Sequence, residues 1–138
     1  MGCNHSTDDM MANAADFAAK TVVAAEIKTG ILKLHLKKAH LEVHRGPEFE
    51  RMSPFVKINI DDFEWRSVER EGAGHKPEWG PLAVMEYEVR DPLRMMRIEV
   101  KDHNGLMDNL ALGHTEINVG FFAKAGGCEE SLELKFEG

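Results

Sequence analysis

Gly30-Ile-Leu-Lys-Leu-His-Leu-Lys-Lys-Ala-His-Leu41 decides the fold of this chain. Leu32, Leu34 and Leu36 alternate with Lys33, His35 and Lys37. A period of two puts one row of side chains in a core and the other in water, as in a half-buried β-strand. The same alternation returns downstream. Val56, Ile58 and Ile60 alternate with Lys57 and Asn59; Met85, Tyr87 and Val89 with Glu86 and Glu88. Met96, Ile98 and Val100 alternate with Arg97, Glu99 and Lys101; Leu132, Leu134 and Phe136 with Glu133 and Lys135. Weaker segments are Phe63–Arg70 and Thr115–Val119. Split by Gly, Pro, Asn and Asp clusters, these segments predict an all-β, antiparallel β-sandwich.

Upstream of Gly30 the period changes. Residues 10–25 are rich in Ala and Met, and Met10, Ala14, Phe17, Thr21 and Ala24 would share one face of a helix. Residues 1–29 therefore read as an N-terminal arm, partly helical or irregular, ahead of a sandwich over 30–138. Thr21-Val22-Val23 fits a strand as well.

The chain has 138 residues, enough to bury one core without staples. Its net charge of -7 argues against nucleic acid as a partner, which needs clustered Lys and Arg. It also argues against a purely electrostatic grip on anionic lipid. The two cysteines, Cys3 and Cys128, form no disulfide framework and no zinc spacing. Cys128, after Gly126-Gly127, reads as a small thiol. No secretory signal and no membrane-spanning apolar run is visible, so a reducing, cytosolic compartment is expected. No nucleophile elbow or phosphate-binding glycine loop is present, and the expectation is a non-enzyme.

The chain opens Met1-Gly2-Cys3-Asn4-His5-Ser6, which fits the pattern for myristate on Gly2, with Cys3 beside it as a palmitate acceptor. A myristoyl chain alone gives a membrane association constant of only about 10⁴ M⁻¹, so a second signal is needed. Cys3 would supply it.

Four pieces carry a family resemblance. Residues 30–41 resemble the opening strand of a C2 domain. Ser53-Pro-Phe-Val-Lys-Ile58 looks like that family's S-D-P-Y-V-K-V, and Lys76-Pro-Glu-Trp-Gly80 like its N-P-x-W-N. Ile98-Glu-Val-Lys-Asp-His-Asn104, with Leu110-Ala-Leu-Gly113, resembles its L-x-I-x-V-x-D-x-D followed by D-x-x-G. The resemblance implies a Greek-key sandwich of seven to eight strands, with loops at one end that meet calcium and lipid. The eighth strand is either residues 21–28 or missing, and both circular permutations of the sandwich fit.

The resemblance also sets expectations for sites. Calcium takes about six to eight oxygens. Where the family has loop aspartates, this chain has Pro47, Ser53, Asn104 and Leu110, and only Asp102 stays in register. A degenerate site of Asp102, Asn104 and Asp108 remains, and the expectation is calcium independence with no cofactor. The alternative is an atypical calcium sensor that adds Glu48 or Glu50. Leu41, Val43, Leu106 and Met107 are candidate lipid-contacting loop residues. Lys33, Lys37, Lys38 and Lys57 would form a basic patch if strands 31–38 and 54–60 are neighbours. Trp79 is expected to plug the core. The implied function is a lipid-anchored C2-type protein at the cytosolic face of a membrane, binding phospholipid or a protein partner. A soluble interaction module is the other reading.

Overall fold

The computed structural model describes residues 19–41, 53–71, 73–74, 76–103, 110–123 and 127–135. Eight strands run in order: β1 (Ala19–Lys28), β2 (Ile31–Leu41), β3 (Pro54–Ile60), β4 (Phe63–Arg66), β5 (Val84–Glu88), β6 (Met95–Asp102), β7 (Leu110–Asn118) and β8 (Cys128–Leu134). They form two four-stranded sheets, β5-β2-β1-β8 and β4-β3-β6-β7, with every pairing antiparallel. The all-β sandwich read from the alternation is therefore the fold.

The eighth strand is β1, and it corrects the reading of residues 1–29 as an arm. Ala19, Thr21, Val23 and Ala25 face inward, in strand alternation rather than along a helix stripe. β1 lies between β2 and β8, so its backbone is bonded on both sides. Its helix-favouring alanines are overridden by that pairing. Residues 10–18 lie outside the described residues. Thr29 and Gly30 make the β1–β2 turn with φ of 50° and 82°, the paired positive values that a two-residue hairpin turn matching strand twist requires.

The core is the set of inward rows. Leu32, Leu34 and Leu36 of β2 and Met85 of β5 face Ile58 and Ile60 of β3 and Met96, Ile98 and Val100 of β6, with Leu112, Phe122 and Leu134 completing it. Trp79 is buried as expected, and its indole N–H donates to the Val68 carbonyl at 2.8 Å. Cys128 opens β8 and is disulfide-bonded, which corrects its reading as a thiol. The chain's other cysteine, Cys3, lies outside the described residues.

Candidate functional site

Three segments converge at one end of the sandwich: the end of β2 at Leu41, the start of β3 after Ser53, and the end of β6 at Asp102. Pro54 stands opposite Asp102 in the β3–β6 register. The Asp102 carboxylate accepts the Ser53 backbone N–H at 2.8 Å, and His103 N–H donates to the Ser53 carbonyl at 3.1 Å. Asp102 is only 5% exposed. The one carboxylate that the sequence left in register for a cation is thus holding two chain segments together. Beside it, His103 Nδ1 lies 2.8 Å from Glu69 Oε1. Asn104, Leu106, Met107 and Asp108 lie outside the described residues, as do Val43, Gly2 and Cys3. Leu41 is corrected: it faces the core as the last residue of β2 and offers lipid nothing.

The expected basic patch is split by the topology. Lys33, Lys37 and Lys38 lie on β2, in one sheet, whereas Lys57 lies on β3, in the other. β2 and β3 are not neighbours, so the condition for a four-lysine patch fails. Lys57 instead approaches Glu64 of β4 at 4.0 Å, and Lys33 approaches Glu86 of β5 at 3.9 Å.

A local irregularity redraws the rest of the patch. Val22 pairs with Lys38, but Val23 pairs with Leu36, so Lys37 is an extra residue in β2. Such a β-bulge re-aims side chains. Here Lys37 and Lys38, consecutive in sequence, are both exposed, and the inward row resumes at Ala39 and Leu41. Three contacts hold the bulge. The Thr21 hydroxyl donates to the Lys38 carbonyl (3.0 Å), Trp79 N–H donates to the Lys37 carbonyl (2.9 Å), and Ala39 N–H donates to the Pro77 carbonyl (3.0 Å). The last two draw the segment after Lys76 alongside β2. Lys20 joins from β1, opposite His40. Sequence reasoning missed Lys20 and Lys76. Recognising β1 as a strand would have found Lys20, whose outward place follows from inward Ala19 and Thr21.

The family model for the C2 domain matches residues 30–134. This chain belongs to the C2 domain family. The sandwich also resembles solved C2 domains. The first of the C2 domains of RIM, from Drosophila, superposes with a TM-score of 0.71 at 15% identity, covering 86% of this chain and 99% of that one. The third C2 domain of KIAA1228 protein gives a TM-score of 0.71 at 11% identity, covering 99% of this chain and 96% of that one. The corresponding first C2 domain of a plant Extended Synaptotagmin 1 gives 0.52 at 16% identity, covering 76% and 71%. At these identities the likeness is one of fold. No curated protein matches the sequence. At the end just described, the Asp102 carboxylate is hydrogen-bonded to the Ser53 backbone.

Proposed function

We propose that this C2 domain is a calcium-independent binding module, not an enzyme, held at the cytosolic face of a membrane by myristate on Gly2. The observation that carries the calcium-free reading is the buried Asp102 carboxylate bonded to Ser53 N–H at 2.8 Å. Its oxygen serves the fold, and a cation there would compete with a charge-assisted hydrogen bond. Membrane attachment rests on the opening Met1-Gly2-Cys3-Asn4-His5-Ser6. Among the described residues no helix is long and apolar enough to cross a membrane, so attachment is peripheral in this reading. Palmitate on Cys3 requires its thiol.

The test is fractionation of the full-length chain and its Gly2→Ala variant from a eukaryotic cell, with intact mass on each fraction. Wild type on membranes with added acyl mass, and the variant in the soluble fraction, is the expected result. Equal partition of two unacylated proteins refutes the tether. A second reading, a protein-docking module, is favoured by Leu93 and Met95. These neighbours at the start of β6 are 74% and 49% exposed, an apolar pair of the kind that marks contact sites when it forms part of a larger patch.

A further inference from the structure

An edge strand presents a row of backbone N–H and C=O groups that point away from its sheet. On one side of this sandwich the edges are joined: His114 N–H of β7 donates to the carbonyl of Lys135, just past β8, at 2.9 Å, and Lys135 N–H donates back at 2.8 Å. On the other side lie β4 and β5, and among the described residues no strand is paired beyond either. The register fixes which groups of β5 point out. Leu36 N–H donates to the Ala83 carbonyl at 2.9 Å, and Val89 N–H donates to the Gly30 carbonyl at 2.8 Å. Directly opposed residues of an antiparallel pair are hydrogen-bonded at every second position. Ala83, Met85, Tyr87 and Val89 therefore turn their backbone toward β2, and Val84, Glu86 and Glu88 aim theirs outward.

The side chains on that edge select a partner. Glu86 and Glu88 are exposed, and Tyr87 between them is half-buried against the core. The Tyr87 ring meets Phe63 of β4 at 5.0 Å between centroids, so an aromatic pair borders the same edge. The glutamates approach Lys33 at 3.9 Å and Arg90 at 3.3 Å, but these are exposed pairs, which contribute little and exchange readily. A second copy of the chain is a poor occupant, because two β5 edges side by side set glutamates against glutamates. The outward residues of β4, Glu64 and Arg66, carry opposite charges and select neither sign. We infer that β5 accepts an added strand from a basic protein partner, an extended segment with Lys or Arg on either side of an apolar residue. Its backbone bonds to Val84, Glu86 and Glu88, and its two cations stand opposite the glutamates. The apolar residue between them turns toward Tyr87 and Phe63. Main-chain bonds supply affinity in such strand addition, and alternate side chains supply specificity. The inference rests on the protein-docking reading, which it deepens by naming the partner's chemistry, and it does not involve Gly2.

The experiment uses the isotope-labelled, unacylated full chain, so failure of the tether leaves the result untouched. A short peptide of alternating lysine and valine is titrated in, and backbone amide shifts and hydrogen exchange are followed. Val84, Glu86 and Glu88 amides should exchange fast in the free chain and gain protection with the peptide, whereas Met85 and Tyr87 are protected throughout. Glu86→Lys and Glu88→Lys each replace an attractive cross-strand pair by a repulsive one and should weaken binding about tenfold, with the dispersion of the amide spectrum retained. Glu64→Lys, on the edge of the other sheet, should leave it unchanged. A peptide of alternating glutamate and valine should not bind, nor should the lysine peptide when N-methylated at its lysine amides. Equal binding of the methylated peptide would reduce the effect to diffuse electrostatics and overturn the added strand. Protection that rises with chain concentration in the absence of peptide identifies a second copy as the occupant and overturns the basic partner. Shifts centred on Leu93 and Met95 instead would keep the protein-docking reading and overturn the edge, and no shifts at all would overturn both.

Discussion

Replacing Asp102 by alanine separates a structural carboxylate from an ion ligand. The carboxylate accepts Ser53 N–H at 2.8 Å in a part-buried setting where β3 and β6 meet. Alanine leaves that donor without its acceptor, which costs about 1–3 kcal/mol. For a chain of this length, each kcal/mol moves Tm by about 3–5 °C. Thermal unfolding in chelator should therefore fall by about 3–15 °C. Asp102→Asn, whose amide oxygen can still accept, should lose little. Calcium gives the opposing arithmetic. A sensor-grade site with Kd of about 10 μM, at about 1 mM calcium, would stabilise the fold by ~2.7 kcal/mol. That would raise Tm by about 8–13 °C. The expected result is a wild-type Tm that is the same in calcium and in chelator. A calcium-dependent rise of that size, absent in Asp102→Ala, would make Asp102 a ligand and end the calcium-free reading. An Asp102→Ala variant as stable as wild type in chelator would refute the structural role.

Other substitutions test the sandwich itself. Phe122 is fully buried, and Phe122→Ala should cost about 3–5 kcal/mol by urea unfolding; a cost below about 1 kcal/mol would remove it from the core. Gly127 has φ of +84°, and an added Cβ would stand 3.1 Å from the Ala25 carbonyl oxygen. Gly127→Ala should therefore lower stability by about 1–2 kcal/mol, visible as a lower Tm. Thr21→Val keeps the side-chain shape but deletes the donation to the Lys38 carbonyl at 3.0 Å. It should lower the urea midpoint by the equivalent of about 1 kcal/mol with an unchanged m-value.

The strands that were legible in the sequence are those whose inward rows are large. Leu32, Leu34 and Leu36, or Met96, Ile98 and Val100, have no reading but a strand with one buried face. β1 was obscured because its inward row is Ala19, Thr21, Val23 and Ala25, small residues that satisfy a helical spacing as easily. They are small where the turn Val119–Phe122 packs beside β1 with the Phe122 ring in the core. In the candidate site, alternation placed Lys33, Lys37 and Lys57 outward correctly. It could not place Lys38: strict alternation turns it inward, and only the bulge reverses that. A one-residue slip exchanges the two faces of a strand, and the signals that fix this one, Thr21 and the Pro77 and Trp79 backbone, lie far from it in sequence. Nor does alternation say which sheet a strand joins, and so Lys57 was grouped with the β2 lysines.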